Sequence, residues 1–332
     1  VRLDLIFDGG FTMNKNNFSS PLSLRNVQIT DTFWKKEMEL VRTEVIPYQW
    51  AALNDQVEGA APSFCMHNFK AAGKLNKEKK ELGTAFKEPV YTFRGFEALP
   101  EDPKHLDDKF YGFVFQDSDF YKWIEAVGYS LTQHPDPQLE SIADGAIDIV
   151  CAAQQEDGYL DTYYILNGKD RIFTNLRDHH ELYCLGHLLE GAVSYYQATG
   201  KDKLLKAASR YADYVAAYFG PEEGKCKGYP GHEIAEMALV RLYETTQESK
   251  YLDLAKYFID ERGKQPYYFD KEHPEEVKKN PNGLRYAYNQ AHLPVREQDE
   301  AVGHAVRAVY LYSGMADIAR ITGDETLYKA CD

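Results

Sequence analysis

"YYQATGKDKLLKAA", residues 195–208, decides the fold, because it contains the end of one helix, a short polar turn and the start of another helix. Gly200 directly follows an apolar-periodic run, and glycine is the residue that most often ends a helix. A large apolar residue, Leu204, follows Thr199 at a distance of five positions and starts the return helix. The stretch therefore predicts a hairpin of two antiparallel helices.

The same pattern recurs at residues 242–255 ("LYETTQESKYLDLA") and 318–331 ("IARITGDETLYKAC"). In each copy a threonine precedes a polar turn, and a large apolar residue starts the next helix five positions later. Each hairpin also follows a Gly-His pair, and the pairs align as Gly186-His187, Gly231-His232 and Gly303-His304. A looser copy at 131–146 has prolines in its turn. The chain is thus predicted to repeat one helical unit.

Helical periodicity predicts about ten helices after a strand-like lead at residues 21–29. The predicted ranges are 32–54, 62–73, 117–133, 137–155, 179–199, 202–218, 232–247, 250–263, 299–322 and a last helix from 325. Long segments rich in tyrosine or proline lie between some of them, at 78–112, 156–177 and 264–297. Loops of this length in a compact domain are usually functional.

Repeated helical hairpins bury their apolar faces in an open solenoid or in a closed ring. The spacing of the repeated threonines is too irregular for a uniform solenoid, so we expect an all-α (α/α)6 toroid, or barrel, over residues 22–332. Residues 1–21 are interpreted as an N-terminal lead or an unrelated remnant. Ten helices are fewer than the twelve of a closed ring, and the chain is expected to stop before closure. The end helices would then expose apolar faces to a partner such as a second copy of the chain.

Composition restricts the class of ligand. The 52 acidic and 38 basic residues give a formal net charge of −14, which argues against nucleic acid or an anionic membrane as a partner. No apolar stretch is long enough to span a membrane. The five cysteines are odd in number and widely spaced, which indicates reduced thiols and a cytoplasmic protein. A neutral or small substrate is therefore expected, and the 25 tyrosines suit a hydroxylated ligand.

Histidines concentrate at residues 174–187, "TNLRDHHELYCLGH". On a helix, His180 and His187 share a face but stand roughly 10 Å apart, so they cannot bind one metal ion. The spacing also differs from the His-Glu-x-x-His pattern of zinc proteases. His180 with Cys184 could supply half of a metal site, without a matching pair nearby. A face of sugar-binding side chains that line a cavity remains an alternative.

Two other motifs have two interpretations each. Asp117 and Asp119 either cap a helix, with Ser118 or Asp119 in the first turn, or line a cavity. The tyrosine pair in "QQEDGYLDTYY", residues 154–164, forms either a platform for a sugar or an ordinary packed loop. A further set of acidic residues close together in the sequence consists of Glu297, Asp299 and Glu300.

Long stretches of the chain resemble glycoside hydrolase family 127, the bacterial β-L-arabinofuranosidases. They include "FVFQDSDFYKWIEAVGYSL" (113–131), "NLRDHHELYCLGHLLEGAVSYYQATGK" (175–201) and "PVREQDEAVGHAVRAVYLYSGMADIAR" (294–320). The resemblance covers residues 22–332 and implies an (α/α)6 barrel followed by β-sandwich domains. It also implies retaining hydrolysis of terminal L-arabinofuranosyl residues. At "APSFCMHNF" (61–69) the sequence departs from the family, with Phe64 where a histidine is common.

The resemblance assigns three substrate-binding residues, His180, His232 and His304, to the arabinofuranose subsite. It implies a zinc-held cysteine thiolate as nucleophile and a glutamate as general acid/base. No residue of this chain matches those motifs, and the catalytic residues and zinc ligands are expected beyond Asp332. The chain alone would then be inactive. Two other functions stay open, an α/α-barrel sugar epimerase or isomerase that uses histidines as acid and base, and a non-catalytic carbohydrate-binding protein.

Overall fold

The computed structural model describes residues 21–92, 107–279 and 285–332, in which helices are joined by turns and loops without any β-strand. The helices are α1 (Thr32–Leu40), α2 (Ile46–Leu53), α3 (Cys65–Leu82), α4 (Asp117–Gln133), α5 (Pro137–Ala153), α6 (Thr162–Asn167), α7 (Glu181–Thr199), α8 (Lys203–Tyr218), α9 (Ala235–Thr246), α10 (Ser249–Glu261), α11 (Tyr268–Glu272), α12 (Pro274–Lys279), α13 (Arg285–Tyr288), α14 (Ala305–Thr322) and α15 (Glu325–Cys331). A π-helical stretch, Val41–Val45, joins α1 to α2. Residues 1–20 of the N-terminal segment predicted at 1–21 lie outside the described residues.

The repeated threonine has the same role in all three hairpins. The hydroxyl of Thr199 donates to the carbonyl of Tyr195 at 2.7 Å, and Thr246 and Thr322 bond the carbonyl four residues back at 2.8 and 2.7 Å. The next residue takes the left-handed conformation that ends the helix, at Gly200, Gln247 and Gly323. This bond and the left-handed residue together explain the repeat that the sequence displays.

The helices form two layers. The inner layer consists of α2, α4, α7, α9 and α14, and the outer layer consists of α3, α5, α8, α10 and α15. In the inner layer α4, α7, α9 and α14 pack side by side in chain order, and each is followed by an outer helix that packs on it. Fourteen residues of α7 are buried, as expected for a helix covered on all sides. The predicted all-α (α/α) toroid architecture is confirmed, with four such pairs among the described residues, α4–α5, α7–α8, α9–α10 and α14–α15.

Several predicted boundaries differ from the structure. The lead at 21–29 forms a 3-10 turn, Leu24–Asn26, and not a strand. The guanidinium of Arg25 donates there to the carbonyls of Gln197 and Ala198 at the end of α7, so the segment packs against helix ends and has no strand partner. Helices α9 and α14 begin later than predicted, at Ala235 and Ala305, because the residues before them form loops.

Both ends of the inner row expose apolar side chains. Phe33 and Trp34 on α1 and Tyr48 on α2 are more than half exposed, and so is Val309 on α14. Exposed apolar faces of this kind can bind a partner. The homodimer stays a prediction. No described helix combines the length and the apolar character that crossing a bilayer requires.

Candidate functional site

Three histidines converge at the N-terminal ends of three neighbouring inner helices, and we call His180, His232 and His304 the three-histidine cluster. His180 directly precedes α7, His232 lies three residues before α9, and His304 directly precedes α14. The ring centroids of His180 and His232 are 5.5 Å apart, and those of His232 and His304 are 5.9 Å apart. The structure thus brings the three predicted site residues together.

Two glycines allow the loops that carry these histidines to approach their neighbours. A Cβ atom at Gly231 would lie 2.2 Å from the carbonyl oxygen of Leu176, and the Gly231 N–H donates to that oxygen at 3.0 Å. Gly303 has φ +82°, and a Cβ there would lie 2.0 Å from the carbonyl oxygen of Ala287. A side chain at either position would move the following histidine. Steric constraint therefore explains why glycine precedes His232 and His304.

The third Gly-His pair, Gly186-His187, was aligned wrongly with the other two. It lies inside α7, where Gly186 lets that helix approach the start of α9; an added Cβ would lie 2.6 Å from Cγ2 of Ile234. The structural counterpart of His232 and His304 is His180. His187 is buried below the cluster, and neither of its ring nitrogens has a hydrogen-bond partner among the described residues.

Backbone contacts fix which ring nitrogens of the cluster donate and which accept. A carbonyl oxygen only accepts, so the Nδ1–H of His180 donates to the carbonyl of Asp178 at 2.8 Å, and the Nδ1–H of His232 donates to that of Glu233 at 2.9 Å. In a neutral imidazole the other nitrogen, Nε2, is then the acceptor. Nδ1 of His304 accepts from the Arg307 N–H at 3.5 Å, which leaves Nε2–H as a donor. The cluster therefore combines two acceptor nitrogens with one donor.

Burial keeps two of these imidazoles neutral. Burial, followed by the positive charge of Arg307, lowers the pKa of His180 to about 3. Burial likewise lowers the pKa of His232 to about 3, and the charges of Arg307 and His180 add to the effect. Both rings stay uncharged over the physiological pH range and keep the acceptor nitrogens described above.

Aromatic rings surround the cluster. The ring of Tyr183 lies 4.5 Å from His232 and 5.4 Å from His180, and Phe115 lies 5.2 Å from His180. Tyr288 packs edge-on to His304 at 5.5 Å. These rings were not singled out from the sequence, since tyrosine and phenylalanine at helical spacing look like core residues. The position of Tyr183, three residues after His180 on one helix face, was the available signal.

The long segment at 264–297 holds the loop that carries His180. It forms three short helices, and the carboxylate of Glu272 at the end of α11 accepts the N–H groups of Leu176 and Arg177 at 2.8 and 3.1 Å. The guanidinium of Arg177 in turn pairs with Glu276 on α12 at 2.9 Å. The loop before α7 is therefore fixed to α11 and α12.

A buried ion cluster holds the loop that carries His232. Arg262 has no exposed surface and pairs with Glu233 at 2.9 Å and with Glu236 at 3.0 Å. It also donates to the carbonyls of Pro230 and Asn289 at 2.6 and 2.8 Å. Burial raises the pKa of Glu233 to about 8. The cluster joins the start of α9 to the loop that follows α13.

The other sequence motifs serve packing. Asp119 lies in the first turn of α4, as the helix interpretation predicted, although the N-cap residue itself is Gln116. Asp117, in the same turn, accepts from the backbone N–H of Thr162 at 2.7 Å and also from its hydroxyl. Tyr163 and Tyr164 lie on α6 and not in a loop, and their almost complete burial indicates packing, while the sugar platform stays a prediction. Three carboxylates, Glu297, Asp299 and Glu300, are exposed on the surface.

The thiols do not form a metal site within the described chain. All five cysteines are unpaired, and burial raises the pKa of Cys184 well above the usual value. In residues 21–92, 107–279 and 285–332, no group of three or more histidine, cysteine, aspartate or glutamate side chains has the arrangement to hold a metal ion. The described donors therefore do not fit a zinc centre, and His180 with Cys184 remains an isolated pair.

Comparison with known proteins identifies relatives. The family model for the β-L-arabinofuranosidase catalytic domain of glycoside hydrolase family 127 matches residues 26–332. A non-reducing end β-L-arabinofuranosidase from Bifidobacterium longum subsp. longum is 41% identical over 310 residues, which cover 91% of this chain and 44% of that protein. The chain thus spans less than half of the length of this relative.

Solved structures show the same similarity. A family 127 β-L-arabinofuranosidase from Geobacillus stearothermophilus T6 superposes with a TM-score of 0.79 and 47% identity, over 92% of this chain and 44% of that one. The family 127 β-arabinofuranosidase BT3674 superposes with a TM-score of 0.73 and 39% identity, over 93% of this chain and 42% of that one.

Proposed function

The chain belongs to glycoside hydrolase family 127, the β-L-arabinofuranosidase family, and on that premise we propose that its three-histidine cluster binds a terminal L-arabinofuranosyl residue. One observation carries the proposal: imidazoles from three separate hairpins converge within 6 Å of their neighbours, with complementary acceptor and donor nitrogens. The protein that contains this chain would be a retaining glycoside hydrolase.

Within that proposal the described residues bind and orient the sugar. Sugar hydroxyls donate to Nε2 of His180 and His232, and Nε2–H of His304 donates to a sugar oxygen. The ring of Tyr183 supplies apolar contact and excludes water from the bound sugar. Because the loops that carry the histidines are fixed by ion pairs and backbone bonds, the sugar meets a site that is already formed.

The bond-breaking groups are placed elsewhere in this proposal. Retaining hydrolysis needs a nucleophile on one face of the sugar and a proton donor at the leaving oxygen. The described thiols are poor nucleophiles, since burial raises the pKa of Cys184 and of Cys226 and a thiol reacts as its thiolate. We place the nucleophile, the acid/base and the ligands of a zinc ion outside the described residues.

The epimerase alternative finds no support in the cluster. A general base works best when its pKa lies near the working pH, whereas His180 and His232 have pKa values of about 3. Such imidazoles accept hydrogen bonds but rarely remove a proton from carbon. Their protonation behaviour favours sugar binding over acid and base chemistry.

The unpaired cysteines bear on the location of the protein. Cys65 and Cys184 are buried, Cys151 and Cys226 are half-buried, Cys331 is exposed, and none forms a disulfide. Disulfides are rare in reducing compartments. This supports our proposal of a cytoplasmic enzyme.

The decisive experiment measures release of L-arabinose from β-L-arabinofuranosides by the full-length protein and its His232→Ala variant. We expect hydrolysis with retained configuration, and a higher KM for the variant. Interconversion of free sugars without hydrolysis would support the epimerase instead. Binding of L-arabinose without turnover by the full-length protein would support a carbohydrate-binding protein.

A further inference from the structure

Arg307 lies on the first turn of α14, next to His304 of the three-histidine cluster. Its backbone N–H donates to Nδ1 of His304, and its side chain is buried, at 7% exposure. The guanidinium carbon lies 4.7 Å from the centre of the Tyr288 ring, which also packs on His304. Stacking on an aromatic face fixes the plane of a guanidinium and leaves its N–H groups to point outward from the ring edge.

Unlike the buried guanidinium of Arg262, that of Arg307 has no carboxylate partner among the described residues. No described carboxylate lies within ion-pair distance of Arg307, and its buried Nε has no hydrogen-bond partner in the described chain. By contrast, Arg262 pairs with two glutamates, and Arg320 on the same helix pairs with Glu244 at 2.7 Å and Asp317 at 3.2 Å. A buried donor without a partner destabilises the folded protein, and more so when it is charged.

The charges around Arg307 indicate what kind of ligand it takes. Burial lowers the pKa of Arg307, and Glu233, whose own pKa is raised to about 8, opposes this only in part. The positive charge of the guanidinium is therefore partly balanced within the protein, while its N–H donors have no acceptors in the described chain. A neutral ligand that is rich in oxygen acceptors fits this requirement, and sugar hydroxyls are such acceptors.

The position of Arg307 matches the hydrogen-bonding pattern of the cluster. The guanidinium lies over Tyr288, which packs edge-on to His304, and His304 in turn lies 5.9 Å from His232, whose Nε2 accepts. A hydroxyl that donates to one of these imidazoles keeps its own lone pairs free to accept. The guanidinium has N–H donors for those lone pairs.

We propose that Arg307 is a further substrate-binding residue, whose guanidinium donates hydrogen bonds to hydroxyl oxygens of the sugar held by the three-histidine cluster. The proposal rests on the proposed function, since it names a second contact to the same sugar. It predicts that affinity for the sugar depends mainly on the planar arrangement of N–H donors in the guanidinium, and only in part on its positive charge.

The test compares Arg307→Met, Arg307→Lys and the matched control Arg320→Met in the full-length protein. The dissociation constant for L-arabinose is measured by NMR titration, and the melting temperature is measured beside it. We expect Arg307→Met to bind L-arabinose ~10- to 100-fold more weakly, Arg307→Lys to fall between it and the unaltered protein, and Arg320→Met to bind within about twofold. Arg320→Met should lower only the melting temperature.

Unchanged affinity in Arg307→Met, with a lower melting temperature, would overturn the proposal and make Arg307 a packing residue. If Arg307→Met does not fold, Arg307→Lys decides: equal affinity overturns the proposal, and weaker affinity with an unchanged melting temperature supports it. Failure of the unaltered protein to bind L-arabinose would overturn the proposed function as well. If the unaltered protein binds L-arabinose and only the Arg307 variants bind it more weakly, the result concerns Arg307 and leaves the proposed function intact.

Discussion

The imidazoles of His180 and His232 lie 5.5 Å apart at an angle of 50°, although they precede two different helices of the inner layer. Their Nδ1–H groups are both bonded to backbone carbonyls, and their acceptor nitrogens belong to one cluster. Since both rings depend on loops fixed by Gly231, Glu272 and Arg262, the proposed sugar-binding role depends on residues outside the cluster as well.

We expect His232→Ala to weaken binding of L-arabinose about 10-fold, because a sugar hydroxyl loses its acceptor. NMR titration of the full-length protein measures this effect. His134→Ala is the matched control, since His134 is exposed at the end of α4 and far from any cluster contact in the described chain. Equal loss of affinity in both variants would show that the effect is not local to the cluster.

We expect sugar affinity to change less than twofold between pH 7 and pH 5. The pKa values of His180 and His232 are about 3, so both rings keep their acceptor nitrogens over this range. If either ring had an ordinary pKa of about 6.5, affinity at pH 5 would fall by roughly 30-fold. The dissociation constant for L-arabinose, measured at the two pH values, separates these outcomes.

His187→Phe should stabilise the protein in acid. Burial, with the charges of Lys122 and His232, lowers the pKa of His187 to about 2. The unfolded chain therefore binds a proton that the folded chain rejects, and stability is lost as the pH falls from about 6.5 toward 2. At pH 5 this effect lowers the free energy of unfolding by about 2 kcal/mol. Phenylalanine does not titrate, so the His187→Phe variant would not lose this stability.

Chemical denaturation at pH 8 and pH 5 measures that difference for His187→Phe and for the exposed control His134→Phe. The gain in unfolding free energy should be larger at pH 5 than at pH 8 for His187→Phe alone. An equal gain at both pH values would mean that His187 titrates normally in the folded protein.

Gly231→Ala should cost roughly 2–4 kcal/mol of stability, since the new Cβ would lie 2.2 Å from the carbonyl oxygen of Leu176. Gly145→Ala on α5 is the control, because no atom lies within 4 Å of a Cβ there and alanine favours a helix by up to about 1 kcal/mol. Urea denaturation of both variants compares them. A Gly231→Ala variant as stable as the Gly145→Ala variant would contradict the close approach of the two loops.

The sequence predicted the layer of hairpins well, because the signals for helix ends are local. The Asp117–Gln133 helix has its predicted bounds, and the threonines at 199, 246 and 322 mark three equivalent turns. The predicted helix boundaries were wrong where a tertiary contact determines where the helix begins. His232 and His304 lie in loops held by Leu176 and Tyr288, which come from other parts of the chain.

The site was less accessible to sequence reasoning. The resemblance to a family named the three histidines, but the Gly-His pattern by itself also selected His187, which lies inside a helix. Arg307 and Tyr288 were missed, because an arginine in a first helical turn and a tyrosine in a loop are common. Only their contact with each other and with His304 distinguishes them.

The most direct test is a crystal structure of the full-length protein with L-arabinose. We expect one sugar between the three inner helices, with hydroxyl groups within 3.2 Å of Nε2 of His180, His232 and His304, as typical hydrogen-bond lengths of about 2.7–3.2 Å require. A sugar bound at another place, or three imidazoles that turn away from it, would contradict the account.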